Sequence, residues 1–345
     1  MFRSTIKVES LRFAEGHFGD VHMGDDPIHG KVAVKVLKKI AGESDAEWIA
    51  RGAELLEEGQ NLKKASHANI VQVLNVLSHE TTGAIHLVVE FCDGESLESL
   101  CKKDPLKLAR IRSIIGQVCS GLSAIHGSGL IHRDIKPGNI LLHKGNAKIG
   151  DFGLVSDRLI YGYASAAGYL DHLAPEVHTH GVTSAKTDGW ALGMTIYRLL
   201  HGHDFYSANL GSMDIATMVT RGNFATKLPW APHIPDQWRR LVRRAMNDDI
   251  DRRFASANEF NEAVAKLSVH PDWVWKTTSS EDTRTRMDKN RTVTVTLKKV
   301  FPSAYTWTAT RSGGAKRSIS IGSNSKHLKN QKDAYEDLRV FFSAQ

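Results

Sequence analysis

Eight consecutive residues, His132-Arg133-Asp134-Ile135-Lys136-Pro137-Gly138-Asn139, are followed twelve positions after the asparagine by Asp151-Phe152-Gly153. Asp134 can receive or direct the proton of a hydroxyl group, and Lys136 can stabilise charge on a phosphate in transfer. Asn139 and Asp151 offer oxygen ligands suited to magnesium, a hard cation. These are complementary parts of phosphoryl transfer to an alcohol. Singly, each residue has a plainer explanation: Asp134 can cap a turn, Lys136 can be solvated, Asn139 can cap a helix and Asp151 can be an exposed turn acid. The ordered combination is what points to chemistry.

Such groups need a scaffold, and the hydrophobic pattern describes one. Lys7 to Leu37 alternates apolar stretches with glycine-containing turns, which predicts antiparallel strands. Asp45 to Ala65 places Ile49, Leu55, Leu56 and Leu62 near helical spacing, and Val71 to Leu77 and Ala84 to Phe91 return to short β-rich runs. Beyond Cys92 the pattern turns helical over Ser96–Leu100, Leu106–His126, Lys186–His201, Asp214–Thr220, Pro235–Asn247 and Ser256–Leu267, with starts near Pro, Ser or Asp. Ile131 to Gly153 interrupts these with short strands and loops. The expected fold is α+β and bilobal, and a cleft between the lobes is a natural ligand site.

Two features of the first lobe extend the chemistry. In Ala14-Glu15-Gly16-His17-Phe18-Gly19-Asp20-Val21, Gly16 and Gly19 lack a β-carbon, so backbone amides there can approach phosphate oxygens. Taken alone, two such glycines are more often an ordinary turn. Val32-Ala33-Val34-Lys35 follows; a lysine at a strand end is ordinarily solvated, but an ammonium also suits a phosphate as a point charge.

Together these segments resemble the protein kinase family over roughly residues 7 to 268, with a glycine-rich loop whose first glycine is replaced by Ala14. The resemblance implies that Lys35 contacts the α- and β-phosphates of ATP. It also implies that Glu58, selected among Glu54, Glu57 and Glu58 by its spacing to His67-Ala68-Asn69-Ile70-Val71, orients that lysine. Leu87 to Cys92 would form the interlobe hinge, where Glu90 and Cys92 meet adenine, with Val21, Ala33 and Leu141 as apolar surfaces around the base and Val89 guarding the pocket behind it. Asp134 and Lys136 become the catalytic pair, and Asn139 and Asp151 the Mg2+ ligands. Phe152 would pack against the first-lobe helix. Ala174-Pro175-Glu176 would end the activation segment, with Glu176 anchoring Arg253 and Asp188 bracing the catalytic loop. Ser165 aligns with the family's regulatory phosphosite and would pair with Arg133 once phosphorylated.

The expectation is thus an ATP-dependent serine/threonine protein kinase acting on a protein substrate, with autophosphorylation included. The competing expectation is a pseudokinase-like ATP-binding regulatory scaffold. Lys136 supports the serine/threonine class by resemblance. Tyr169, where the family commonly has a small hydroxyl residue, places its OH farther away and alters the contact that positions a substrate.

The composition sets the remaining bounds. With 345 residues and a 41% hydrophobic fraction, the chain can build a large core. No run reaches the roughly 18 apolar residues of a membrane span, and the start carries no apolar signal segment. Cys92, Cys101 and Cys119 show no CxxC spacing, so neither a disulfide framework nor zinc is suggested and cytoplasm is the expected compartment.

The net charge of +7 is concentrated at one end. Residues 271 to 345 hold 14 Lys/Arg against 7 Asp/Glu, and the rest of the chain balances at 31 of each. Strand-like runs at Thr292–Leu297, Tyr305–Thr310 and Arg317–Ile321 and a helical run at Asp333–Phe342 predict a small β-rich appendage. The expected division is a first lobe over 7–91, a hinge and second lobe over 92–270, a linker over 271–290 and the appendage over 291–345. The basic appendage has three readings: a packed unit with a solvated charged face, a docking site for a regulatory protein, or a nucleic-acid surface. In the last, Trp273, Trp275, Tyr305 and Trp307 would stack on bases beside Arg284, Arg286 and their neighbours.

Overall fold

The computed structural model describes residues 6–16, 19–37, 39, 41–78, 84–103, 105–150, 170–277, 281–313, 316–324 and 328–344. The first lobe is a five-stranded antiparallel sheet of β1 (Lys7–Gly16), β2 (Gly19–Asp26), β3 (Gly30–Leu37), β4 (Val73–Ser78) and β5 (Ile85–Glu90), in the order β1-β2-β3-β5-β4. Val32, Val34, Val36 and Val88 alternate inward and close a small core of their own. Helix α1 (Asp45–Lys64) starts at a reciprocal cap, in which the Ser44 hydroxyl accepts from the Glu47 amide and the Glu47 carboxylate accepts from the Ser44 amide. It lies against β4 at Gly59, where a β-carbon would fall 2.8 Å from Val76 Cγ2.

The second lobe is helical: α2 (Leu97–Cys101), α3 (Leu108–Gly127), α4 (Pro175–His180), α5 (Ala185–Leu210), α6 (Ile215–Thr220), α7 (Phe224–Lys227), α8 (Asp236–Ala245) and α9 (Ala257–Ala265). In α3 the buried positions Leu108, Ile111, Ile115, Val118, Leu122 and Ile125 recur every three or four residues, the stripe expected of a helix packed on one side. Helix α5 crosses the centre of the lobe and is buried on all sides from Trp190 to His201. The expected stop at His201 is a bend instead: Gly202 takes φ 72°, a left-handed conformation open to glycine, and the helix resumes to Leu210. A two-stranded hairpin, β6 (Ile140–His143) and β7 (Asn146–Ile149), carries the loop that begins at His132.

The appendage is a second five-stranded antiparallel sheet, β8 (Val274–Thr277), β9 (Glu281–Asp288), β10 (Arg291–Phe301), β11 (Ala304–Gly313) and β12 (Lys316–Ser323), followed by helix α10 (Gln331–Ser343). The stretch 271–290, expected as a linker, contributes the first two strands. Its polarity concealed them, because the residues of β9 that share the inward face of the sheet are charged. Arg284 is registered opposite the buried Val295, and the Arg286 guanidinium lies 5.0 Å from the Trp273 ring. The nucleic-acid reading is corrected at two of its four aromatics, Trp275 and Tyr305 being only partly buried. Trp273 and Trp307 are buried with Val293, Val295, Leu297, Leu338 and Phe342, so they form a core rather than a stacking platform.

The appendage is sewn to the second lobe. The Leu108 amide donates to Asp272 Oδ1 at 2.9 Å, Arg284 Nε donates to His233 Nδ1 at 3.0 Å, and Arg339 reaches Asp236 at 3.6 Å. The His233 ring stands 4.6 Å from Trp275.

Two buried histidines make this architecture acid-sensitive. His201 donates from Nδ1 to the Tyr197 carbonyl at 2.8 Å and accepts from the Ala231 amide at Nε2, and burial pushes its pKa down to about 3. Burial, and then the Arg284 charge, hold His233 well below its ordinary value. Both rings stay neutral in the folded state while the unfolded chain protonates them near pH 6.5. Their contribution is therefore complete above that pH and is lost as pH falls below it, for His201 down to its own pKa of about 3, by roughly 1.4 kcal/mol per pH unit for each ring that stays neutral. The urea midpoint is expected to decline between pH 7 and pH 5, and His201→Gln to decline less steeply. Equal slopes for the two proteins would remove His201 from the account.

Candidate active site

The loop carrying the candidate catalytic residues is held from below. Asp188, buried at the start of α5, accepts from the backbone amides of His132 at 2.9 Å and Arg133 at 2.8 Å, and from His126 Nε2 at 2.8 Å. This brace lets Arg133 sit at φ 70°, a conformation that costs a non-glycine residue energy unless its surroundings enforce it. His132 is structural: its Nδ1 accepts from the Asp134 amide at 3.2 Å, which leaves Nε2–H to donate to the Gly150 carbonyl at 3.2 Å.

On this support the side chains converge. Lys136 Nζ lies 2.8 Å and Asn139 Nδ2 2.6 Å from the same oxygen, Oδ2 of Asp134, and Asn139 Nδ2 also donates to the Asp134 carbonyl at 2.8 Å. With Nδ2 so committed, Asn139 turns its Oδ1 away from Asp134, and this oxygen is the kind of ligand a hard divalent cation takes. The donor set fits magnesium on the asparagine side. Asp151, the expected second ligand, lies outside the described residues, as do Phe152, Ser165 and Tyr169.

The residues expected on the nucleotide side come mainly from the first lobe, with Cys92 and Leu141 beyond it. Gly16 and Gly19 face each other in register at the end of the β1–β2 hairpin. Lys35 is buried in β3, registered opposite Val21 on one side and Leu87 on the other, and Ala33 is registered opposite Val89. Glu58 lies on α1, but its side chain is outside the described residues. The Glu90 carboxylate is engaged by Lys148 Nζ at 2.8 Å and by the Gln72 amide at 3.3 Å, so contact with a base would fall to its backbone. The Cys92 thiol is pushed up to about 11, first by burial and then by the Glu90 charge, and is neutral near pH 7. Leu141 sits in β6, directly after the Asn139 turn.

Behind the site, Arg253 and Glu176 form a two-pronged pair at 2.6 and 2.8 Å. The guanidinium also donates to the Asn247 carbonyl at 2.7 Å and lies 5.0 Å from the Trp190 ring. This is the expected pairing, in a buried setting.

A second charged cluster was not anticipated. Asp171, fully buried, accepts from Tyr206 Oη at 2.8 Å and contacts His172 Nδ1 at 3.0 Å, and Arg198 pairs with Glu98 at 2.8 Å while stacking over the Tyr206 ring. Burial works to raise the Asp171 pKa; the His172 and Tyr206 contacts outweigh it and leave the pKa lowered. A signal was present in the sequence: Arg198 interrupts the apolar run Leu192 to Leu200, and a guanidinium at such a position requires a carboxylate.

A strand-rich lobe joined to a helical lobe, with a buried lysine in the first and a braced Asp–Lys–Asn loop in the second, defines the class of bilobal kinase folds. Residues 12–265 match the family described as protein kinase domain, and the chain belongs to that family. It is similar to serine/threonine-protein kinase PrkC of Bacillus subtilis, with 28% identity over 263 residues covering 74% of this chain and 39% of that protein. It is also similar to the probable serine/threonine-protein kinase fhkC of Dictyostelium discoideum, at 28% over 286 residues, 80% of this chain and 45% of that one. CBL-interacting serine/threonine-protein kinase 18 of Arabidopsis thaliana matches at 33% over 252 residues, 69% of this chain and 45% of that protein. The chain spans less than half the length of each of these relatives. Among the described residues no helix is long and apolar enough to cross a membrane.

Proposed function

We propose that this chain is an ATP- and Mg2+-dependent serine/threonine protein kinase that transfers the γ-phosphoryl group to a protein hydroxyl, including hydroxyls of its own. The observation that carries the reading is the convergence of Lys136 Nζ and Asn139 Nδ2 on Asp134 Oδ2 within a loop fixed by Asp188. Asp134 orients the acceptor hydroxyl and draws off its proton as the oxygen forms its bond to the γ-phosphorus; the bond to the bridging oxygen breaks and ADP departs. Lys136 stabilises the charge that spreads over the transferring group. Lys35 holds the α- and β-phosphates with Glu58 as its orienting partner, Gly16 and Gly19 admit the phosphates, and Val21, Ala33 and Leu141 bury the base against the Glu90–Cys92 hinge. Asn139 and Asp151 would hold Mg2+, which would neutralise charge on the phosphates.

The same reading divides the chain into a first lobe over 7–91, a second lobe over 92–270 and an appendage beginning near residue 271. The scaffold alternative has a weaker basis, since Asp134, Lys136 and Asn139 are present and mutually positioned. Incubation of the full chain with magnesium-ATP and a panel of protein acceptors, read by phosphosite mapping, is expected to yield phosphoserine and phosphothreonine. Nucleotide binding without any incorporation would favour the scaffold.

A further inference from the structure

Outside the catalytic loop, the second lobe and the appendage together enclose a cleft of about 510 Å³. One wall is α2 with the part of α5 beyond the Gly202 bend; the other is the inward face of the appendage sheet with α10. Its polar groups are incompletely matched. Arg284 lines it while only 2% exposed, and its Nη1 has no hydrogen-bond partner; His203, on the facing wall, has an unpartnered buried Nδ1. Such atoms are costly to bury and mark a place where a ligand can complete the bonding.

The charges in the cleft have a definite sign once the internal pairs are removed. Asp282 is matched by Arg284 at 3.6 Å and Glu281 by Lys298 at 3.3 Å, while Lys103 is joined to Glu95 and Lys102 lies 4.0 Å from Glu98. Among the described residues Lys276 and Lys299, both exposed and both on the cleft, make no ion pair, and Asp204 is the unpaired acid opposite them. Two lysines against one aspartate leave positive charge at the mouth. The walls behind it are flat and aromatic: Trp275, Tyr305 and Tyr335 from the appendage and Phe205 from α5.

We propose that this cleft is a binding site for a small aromatic anion, a ring carrying a phosphate or carboxylate group. The ring lies between the Tyr335 and Phe205 walls, and the anionic group is held by Lys299 and Lys276 with Arg284 at the floor. Charge-assisted bonds to lysine and arginine supply direction, and ring burial supplies most of the affinity. Because both walls contribute, a bound ligand clamps the appendage to the part of α5 that runs past Gly202.

The site is testable without reference to phosphate transfer, so its failure and failure of the kinase reading are separable. Titration calorimetry of the full chain would use phenyl phosphate and benzoate as probes, with inorganic phosphate and phenol as controls that each lack half of the recognition. An aromatic anion is expected to bind at least about tenfold more tightly than either control, and Lys299→Glu to weaken it by about tenfold or more. Which of the two probes binds more tightly identifies phosphate or carboxylate as the preferred group. Lys299 is an exposed rim residue, so its substitution leaves the packing intact, whereas Arg284→Gln removes the floor contact and serves as the second variant. No preference for the aromatic anions over the controls, or equal binding by wild type and both variants, would overturn the proposal.

Discussion

Asp134→Asn is expected to lower phosphate transfer by about 10²- to 10⁴-fold while nucleotide affinity changes little, the result that the proposed role of Asp134 as a general base away from the nucleotide requires. The substitution is close to isosteric. One amide oxygen can still accept from Lys136 Nζ and Asn139 Nδ2, the two donors that meet at Asp134 Oδ2. The loop therefore keeps its shape, because its main support comes from Asp188 through the His132 and Arg133 amides and not from Asp134. What disappears is the negative charge and the second carboxylate oxygen, which can receive a proton where an amide nitrogen cannot. Single-turnover transfer and nucleotide titration on the same preparations separate these effects. Transfer undiminished in Asp134→Asn would assign the proton to another acceptor, and a parallel loss of nucleotide binding would mean that the loop had collapsed.

The parts of this site that are legible in the sequence share one property: each is a short contiguous segment whose backbone conformation places its own side chains. His132 to Asn139 is such a segment, and its internal bonds run between residues at most five apart. The strand carrying Lys35 follows from its alternation, while its pairing with Val21 is set by the turn between β2 and β3. Asp188, Glu176 and Arg253 became legible through resemblance, because nothing local brings residues 77 positions apart together. Local reading failed where charged groups occupy positions that patterning reserves for apolar ones. Arg284 and Arg286 face inward in β9, so a strand looked like a linker. Arg198 and Asp171 are buried in the second lobe through partners 100 and 35 residues away, and no spacing rule pairs them. Tertiary compensation of charge is invisible to periodicity.

Glu176→Ala is expected to be among the most destabilising single changes in the second lobe, at about 3–5 kcal/mol, because it strands a buried guanidinium. The Arg253 side chain is 1% exposed and its two terminal nitrogens point at the two Glu176 oxygens at 2.6 and 2.8 Å. Without the carboxylate, the Asn247 and Lys186 carbonyls and the Trp190 ring face the charge, and none of them neutralises it. For a domain of this size the loss corresponds to a fall in Tm of roughly 6–20 °C. Removing both partners is a different matter: Glu176→Ala combined with Arg253→Met buries no charge and is expected to recover at least half of the lost stability, since replacing a buried ion pair with apolar groups is often neutral. Phosphate transfer need not recover with it. The pair also ties α4, where the segment ending in Ala174-Pro175-Glu176 lands, to the turn after Asn247, and the apolar double variant restores stability without restoring that directional link. Thermal unfolding of the two single variants and the double variant, alongside their transfer rates, checks both halves of the argument. A single variant within 1 °C of wild type would mean that water reaches Arg253 and that the pair is no more than a surface contact.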